Sequence, residues 1–213
     1  GYLPAAVLNY LLLLGWAPEG EQEIFSLDEM IKIWDPARIS KSPAIFDPLK
    51  LRAINAAYIR ALPAEEFRKL ADPFIDQAVH VQIDRDLLCA NLQPRCEVLE
   101  DIPPQLDFFD AVLPIDAEMY RNKKQKTTPE SAKEALSALL PVLEAQTDWS
   151  RDAIFEACKQ KAEAMEKKNG WLLFPLGIAL SGKARTPGGG TDLAAMMGKE
   201  ETLRRLNAAI EAL

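Results

Sequence analysis

The chain has 213 residues, of which 48% are hydrophobic, so it can bury one ordinary core or two small ones. Its net charge of −7 disfavours a general nucleic-acid coat, which needs a basic surface, but leaves room for a local basic face. Three scattered cysteines, Cys89, Cys96 and Cys158, show no CxxC spacing. They predict buried thiols in a reducing cytoplasm, and neither a disulfide framework nor a zinc site.

Helix start signals recur through the first third of the chain. The apolar run Leu8–Trp16 is too short to span a membrane, so it predicts a buried helix. Ser26 and Glu29 have the spacing of a capping box, and Asp47 stands where a helix N-cap is expected. The predicted helices in this part are Pro4–Leu14, Leu27–Trp34 and Pro48–Leu62.

Helical patterns continue to the C-terminus with one interruption. Two adjacent prolines and a third at Pro114 predict an extended connector over Ile102–Asp116, with a domain boundary near Phe108. The predicted helices on either side are Phe74–Asn91, Pro129–Ala145, one capped by Asp148 that runs to Lys168, one in Phe174–Lys183 that Gly182 closes, and two in Thr191–Leu213. The chain is therefore predicted to be all-α.

The pentapeptide RISKS (Arg38–Ser42) differs by two conservative replacements from Lys-Met-Ser-Lys-Ser, with which class I aminoacyl-tRNA synthetases hold ATP phosphates. In those enzymes the loop follows a parallel nucleotide-binding sheet, which needs alternating strands and helices. The residues before Arg38 have the pattern of two helices, so an ATP-binding role is excluded. We expect this pentapeptide to turn the chain between two helices.

Other catalytic patterns are missing as well. The glycine-rich turn TPGGG (Thr186–Gly190) lacks the GxxxxGK[ST] spacing of a phosphate-binding loop. His80, the sole histidine, is predicted to be a surface or half-buried helix residue, because no second imidazole or cysteine stands beside it. The acidic residues fall at helix caps and on solvated faces. We therefore predict no catalytic residue and no metal site.

Three blocks of the sequence have the order and spacing of one known family. They are GYLPAAVLNYLLLLGW (Gly1–Trp16), RISKSPAIFDPLKLRAINAAYIR (Arg38–Arg60), and the pair Phe174–Lys183 with Met197–Leu206. The first block is similar to the segment that directly follows the ATP-binding signature loop in that family. Together the blocks cover essentially the whole chain and resemble the C-terminal part of bacterial glutamyl-tRNA synthetases.

The resemblance implies a multi-helix bundle of the anticodon-binding α-helix cage type in two packed subdomains. Residues 1–62 would be the end of the stem-contact region, residues 63–107 the first anticodon-binding subdomain and residues 108–213 the second. The catalytic domain, with its ATP and Mg²⁺, is expected upstream, so no cofactor is expected in this chain. The resemblance also implies a cytoplasmic, monomeric protein whose partner is glutamate tRNA, with no role for DNA or a membrane.

The resemblance implies that Arg95 reads the third anticodon base. It matches the family position whose arginine contacts that base in enzymes that accept glutamate tRNA and reject glutamine tRNA. The guanidinium carries only donors, and cytosine offers acceptors at O2 and N3, whereas guanine presents N–H donors there. From the residues alone, an arginine after a proline is usually solvated at a helix start.

The second subdomain departs from the family pattern. Where the family often has Pro-Leu-Arg, this chain has Gly177 after Pro-Leu, so an arginine used on the other anticodon bases is missing. Thr186, Pro187 and Gly188 match the family's usual turn, but Gly189-Gly190-Thr191 replaces the following Leu-Phe. An apolar contact with a base is lost there, and backbone freedom is gained.

Basic residues mark candidate contacts with the tRNA backbone. The run RNKKQK carries four positive charges in six residues, which suits a phosphate-facing loop or a solvated one. The candidate contacts are Lys41, Arg52, Arg121, Lys123, Lys124, Lys126, Lys183 and Arg185. Arg204 and Arg205 are expected on the outside of the last helix.

Two alternatives remain open at the level of sequence. Gly177 keeps open a non-discriminating enzyme that also charges glutamine tRNA. The acidic net charge is compatible with a helical protein-interaction domain that has no RNA function.

Overall fold

The computed structural model describes residues 1–40 and 44–213, and the regular secondary structure of these residues is helical apart from two isolated β-bridges. The α-helices are α1 (Pro4–Gly15), α2 (Leu27–Ile33), α3 (Pro48–Ala61), α4 (Ala64–Ile75), α5 (Arg85–Leu92), α6 (Pro129–Ala145), α7 (Arg151–Ala164), α8 (Asn169–Ser181), α9 (Gly190–Met197) and α10 (Lys199–Ala212). Short 3₁₀ helices cover Pro36–Arg38, Gln93–Arg95, Leu99–Asp101, Pro103–Gln105 and Ala117–Tyr120. The all-α prediction is confirmed for the described residues.

The chain divides into two compact units, neither of which is continuous in sequence. Unit 1 comprises Gly1–Phe74 and Leu92–Ile102. Unit 2 comprises Ile75–Asn91 and Pro103–Leu213. The three consecutive regions predicted from the sequence, 1–62, 63–107 and 108–213, divide the chain by function. The division into compact units does not test them, so they stay predictions.

Unit 1 is held together by two buried asparagines as well as by its apolar core. Asn9 of α1 accepts a hydrogen bond from the Phe25 backbone at 2.8 Å and donates to the Glu23 carbonyl at 2.7 Å. Asn55 of α3 accepts from the Leu3 backbone at 2.8 Å and donates to the Glu97 carbonyl at 2.5 Å. Since buried backbone groups need partners, each amide fixes a loop to a helix.

Unit 2 is a bundle around α8, which contacts α6, α7, α9 and α10. Because neighbours surround it, α8 is apolar on nearly all sides, and Leu172, Leu176 and Leu180 are fully buried. Gly182 ends the helix with a left-handed φ of 67°, as the sequence predicts. The helices predicted for Pro129–Ala145, Phe174–Lys183 and Thr191–Leu213 are confirmed, with α8 starting five residues earlier.

Arg205 is a buried clamp in unit 2, so the expectation that it lies on the outside of the last helix is wrong. Its side chain is fully buried and donates to the carbonyls of Phe108, Leu180 and Phe109, each at 2.7 Å. Glu201, one turn earlier, accepts from its Nε at 2.5 Å. A buried charge is tolerated only when it is paired and hydrogen-bonded in this way. Arg204 is exposed, as expected.

The predicted helix over Phe74–Asn91 is wrong, because α4 ends at Ile75 and α5 begins only at Arg85. Pro73 lies inside α4 and removes a backbone donor near its end. The intervening segment is held by tertiary bonds: the backbone N–H groups of His80 and Val81 donate to Asp110 at 2.7 and 3.2 Å. These partners are distant in sequence, so periodicity could not reveal them.

Two further boundaries differ from the predictions. Ser150, and not Asp148, is the N-cap of α7, and α7 ends at Ala164. The segment Ile102–Asp116 contains no α-helix, as expected, but its first part is not extended. Instead it forms tight turns that bury Phe108 and Phe109, which stack at 4.4 Å between ring centroids. The turns follow from these apolar side chains entering the core.

Unit 1 also exposes an apolar groove of about 440 Å³ on α1 and α2. It is lined by Leu8, Leu11, Leu12, Leu27, Met30, Ile31 and Trp34. Although α1 is apolar, none of the described helices combines the length and hydropathy that a membrane crossing requires.

Candidate nucleic-acid interface

Arg95 ends a 3₁₀ turn that is fixed to the end of α3. The Gln93 amide donates to the carbonyls of Ile59 at 3.0 Å and Leu62 at 2.8 Å. Cys96 on the other side of Arg95 is buried. Arg95 itself is exposed, and its guanidinium makes no hydrogen bond or ion pair with any residue in the described ranges. A rigid turn therefore presents a donor set that is free to bind an external acceptor.

Arg52 lies on α3 beside the same segment, but its donors are engaged. It pairs with Glu97 at 2.8 Å and also with Asp101. The hydrogen bonds that Arg52 donates to Glu97 and Asp101 raise the pKa of Arg52 above its usual range. A phosphate would have to displace both partners, whereas the pairs as they stand tie the segment after Arg95 to α3.

The turn Thr186–Gly190 is ordered by specific hydrogen bonds. The Thr186 hydroxyl donates to the Gly188 carbonyl at 2.6 Å, and the Gly189 N–H donates to the Asp192 carboxylate at 2.7 Å. Asp192 is in turn held by Arg151 at 3.0 Å. Its carboxylate caps α9, so the turn is fixed at the start of that helix.

Gly177 on α8 faces Gly190, at the end of that turn. A Cβ at Gly190 would come within 2.8 Å of the Leu173 carbonyl oxygen and 2.9 Å of the Gly177 nitrogen. A Cβ at Gly177 would meet Gly190 only at 3.7 Å, which is ordinary contact. Gly190 is therefore the residue that lets α8 and α9 approach closely, whereas position 177 has room for a Cβ.

The basic run Arg121–Lys126 forms a tight loop closed by paired backbone hydrogen bonds. Asn122 and Thr127 exchange both N–H···O bonds at 3.1 Å. Lys126 takes a left-handed φ of 57°, which closes the loop. The exposed lysines of the loop, Lys123, Lys124 and Lys126, make no ion pair with any other described residue. Arg121 differs, since it pairs with Glu118 at 2.6 Å.

The two remaining basic candidates near the turn also differ from each other. Lys183 donates to the Pro104 carbonyl at 2.8 Å and pairs with Asp107, so it links the end of α8 to a loop of unit 2. Arg185 is exposed and has no partner within residues 1–40 and 44–213. Arg185 is therefore the better placed of the two for an external phosphate.

The predicted site residues fall into separate groups. Arg95 and Arg52 belong to unit 1, and the other described candidates belong to unit 2. Within unit 2, the structure brings Gly177 together with the turn Thr186–Gly190 through Gly190. Lys41 lies outside the described residues, as does part of RISKS. The described part of that pentapeptide lies between α2 and α3, where the Ser40 N–H donates to the Gly15 carbonyl at 2.8 Å.

Sequence reasoning missed the residues that hold these groups in place. Asp192 is an acid in the first turn of a helix, a pattern that could have identified it as a cap. Asn55, which bonds the Glu97 carbonyl, had no such signal, because its partner is 42 residues away. Lys167 and Lys168 are adjacent in the sequence, but only the fold shows that they precede α8 near the contact of Gln125 with Gly170.

The described residues offer little other chemistry. They contain no group of three or more His, Cys, Asp or Glu side chains that could hold a metal ion. His80 lies outside any helix and is exposed, with its ring bonded to Asp110. All three cysteines are buried, as predicted, and they form no disulfide within the described residues. Burial raises the pKa of Cys96 to about 11 and that of Cys158 to about 12, so neither is a reactive thiolate at neutral pH.

Family comparisons assign both parts of the chain. Residues 55–210 match the anticodon binding domain family, and residues 1–53 match the catalytic domain of class I tRNA synthetases for E and Q. The glutamate–tRNA ligases of Clostridium botulinum and Clostridium tetani are 44% and 43% identical over 213 residues. Each match covers 100% of this chain and 44% of the relative, so the chain spans less than half the length of these relatives.

Solved structures give the same family. A glutamate tRNA ligase from Elizabethkingia meningosepticum, crystallised in complex with its amino acid, superposes with a TM-score of 0.86 at 30% identity. That match covers 100% of this chain and 42% of the other. The glutamate–tRNA synthetase of Elizabethkingia anophelis gives a TM-score of 0.79 at 29% identity, over 99% of this chain and 41% of the other.

Proposed function

The chain belongs to the anticodon binding domain family, in the form found in glutamate–tRNA ligases, and from this premise we propose that it binds glutamate tRNA through the anticodon. It would do so as part of a class I synthetase that joins glutamate to its tRNA with ATP and Mg²⁺. The match of residues 55–210 to that family carries the proposal. The ATP chemistry belongs to the catalytic domain, of which residues 1–53 match a small piece.

Arg95 is the proposed reader of the third anticodon base. Its support is an exposed guanidinium on a turn anchored by Gln93, with no described residue competing for its donors. Cytosine can accept from it at O2 and N3. The neighbouring Arg52 is proposed to hold this segment in place, because two carboxylates already occupy its donors.

The second proposed group is Gly177 with Thr186, Pro187 and Gly188. Its support is the ordered turn at the start of α9 and the contact of α8 with Gly190. Exposed backbone groups of such a turn can hydrogen-bond base edges, as sequence-specific readers of single-stranded RNA do. Arg185 and the loop lysines Lys123, Lys124 and Lys126 would meet phosphates nearby.

A salt titration tests tRNA binding by the chain. If several phosphates are neutralised, the logarithm of the affinity for glutamate tRNA falls linearly with the logarithm of salt, by about 0.7–0.9 per phosphate. A helical protein-interaction domain with a net charge of −7 would bind no tRNA even at low salt. Absence of binding at low salt would contradict the proposal.

Gly177 keeps open a second candidate, a non-discriminating enzyme that also accepts glutamine tRNA. No guanidinium stands at this position, although a Cβ placed there would lie 3.7 Å from the nearest backbone atom of Gly190, which is ordinary contact. Charging of purified glutamate and glutamine tRNAs by a full-length enzyme that contains this chain decides between the two. Charging of glutamate tRNA alone would exclude the second candidate.

A further inference from the structure

One face of α8 carries both the turn Thr186–Gly190 and the basic loop. Gly170 and Gly177 are seven residues apart, so they share a face of the helix and lie about 10 Å apart along its axis. Gly190 packs against Gly177, and the Gln125 side chain occupies the space that a Cβ at Gly170 would need. The two loops therefore lie over one stripe of α8, about two turns apart.

Five lysines lie in the two chain segments that meet at the Gly170 end of this stripe, and we call them the lysine cluster. Its members are Lys123, Lys124, Lys126, Lys167 and Lys168, all of them exposed. None pairs with a carboxylate among the residues that the structure describes. Lys168 directly precedes α8, and the Lys167 ammonium lies 5.0 Å from the centre of the Trp171 ring, which orients it.

We propose that the lysine cluster binds the sugar-phosphate backbone of the RNA strand whose bases reach the turn Thr186–Gly190. The inference rests on the proposed function and extends it to Lys167 and Lys168. About 10 Å corresponds to about three nucleotides of a helical strand, so one strand can span both loops. The bases would contact the turn, and phosphates a few nucleotides away would contact the lysines.

The chemistry of the cluster fits phosphates better than bases. Trp171, the aromatic ring that Lys167 contacts, is buried at 6% exposure, so it offers no free ring face for base stacking. Glu166 is the only carboxylate within residues 123–126 and 166–170. Flexible ammonium groups make contacts that position a strand but carry no sequence information. In a chain with a net charge of −7, such a local excess of positive charge suits a polyanion.

The test compares the unaltered chain with the triple variant Lys123→Ala/Lys124→Ala/Lys168→Ala, by measuring affinity for glutamate tRNA at several salt concentrations. We expect the salt slope of the variant to be shallower by about 2, and its affinity at low salt to be roughly tenfold lower. Its preference between anticodon variants of the tRNA should not change. Lys159→Ala is the control, because Lys159 lies on α7 in the same unit and pairs with Glu156.

The outcomes separate this inference from the proposed function. If the triple variant binds with the same slope and affinity as the unaltered chain, the lysine cluster is not a phosphate site, although tRNA binding stands. If Lys159→Ala weakens binding as much per lysine as the triple variant does, the effect is one of general charge and the inference is overturned. If the unaltered chain binds no tRNA, both proposals fail.

Discussion

At the scale of single residues, Arg95 and Arg205 show how the same type of side chain can serve two different purposes. Arg205 stabilises the fold, because three backbone carbonyls and Glu201 accept hydrogen bonds from its guanidinium. Arg95 is held on a rigid turn and keeps its donors unused by the described residues. The sequence alone could not separate the two, since each is an arginine in a helical context. Burial and partners decide which one can act on a ligand.

Replacing Arg95 tests its role in base reading. Arg95→Gln should reduce the preference for an anticodon hairpin with cytosine at the third base over one with guanine. A full contact of this kind is worth about 1–3 kcal/mol of discrimination. Affinities for both hairpins are measured with each protein. Arg60→Gln, which removes an exposed charge from α3 in the same unit, should leave the ratio unchanged. An unchanged ratio in Arg95→Gln would remove Arg95 from the site.

Glu201 predicts a dependence of stability on pH. Hydrogen bonds from Arg204 and then Arg205, working against partial burial, lower its pKa to about 2. Because the folded pKa is depressed, the stabilisation is complete above the unfolded pKa of about 4.3, and it is lost as pH falls toward 2. With allowance for partial exposure, we expect ionised Glu201 to contribute about 1–2 kcal/mol to the free energy of unfolding.

The measurement is urea unfolding of the chain and of Glu201→Gln at pH 6 and pH 3. The free energy of unfolding should be lower for the variant at pH 6, and this deficit should shrink to less than half at pH 3. An equal deficit at both values would show that the Glu201 charge does not contribute.

At the scale of elements, short-range signals predicted where helices begin. The Ser26 hydroxyl accepts from the Glu29 N–H and the Glu29 side chain accepts in return, and Asp47 caps α3 as expected. Each of these signals depends on atoms within three residues. The prediction of one helix over Phe74–Asn91 is wrong because the backbone of His80 bonds to Asp110, which lies 30 residues away in the sequence. The anticodon candidates could be identified only through the family resemblance, and their supporting residues only through the fold.

The contact between α8 and α9 gives a stability prediction. Gly190→Ala should lower the free energy of unfolding by about 1–3 kcal/mol, because its Cβ would meet backbone atoms that cannot move aside. Gly177→Ala is the matched control, since its Cβ has ordinary contacts and alanine favours a helix interior by about 0.5–1 kcal/mol. Both are measured by urea unfolding. Equal losses in the two variants would contradict this packing.

At the scale of the whole molecule, one chain carries segments that match two different domain families. The groove on α1 and α2 lies in the segment 1–53 that matches a synthetase catalytic domain, whereas the candidate base-reading residues lie in the segment 55–210 that matches the anticodon binding domain. The acidic net charge of the chain hides two groups of basic residues with different roles. Cations needed for the fold are paired, and those proposed for RNA stay exposed.

Binding of an anticodon hairpin by the chain tests most sharply whether it recognises the glutamate anticodon. The affinity for the anticodon stem–loop of glutamate tRNA is compared with that for a hairpin of the same length and stem but an unrelated loop sequence, at low salt. We expect tighter binding of the glutamate hairpin, with an affinity that falls as salt rises. Equal affinity for the two hairpins, or no binding of either, would contradict it.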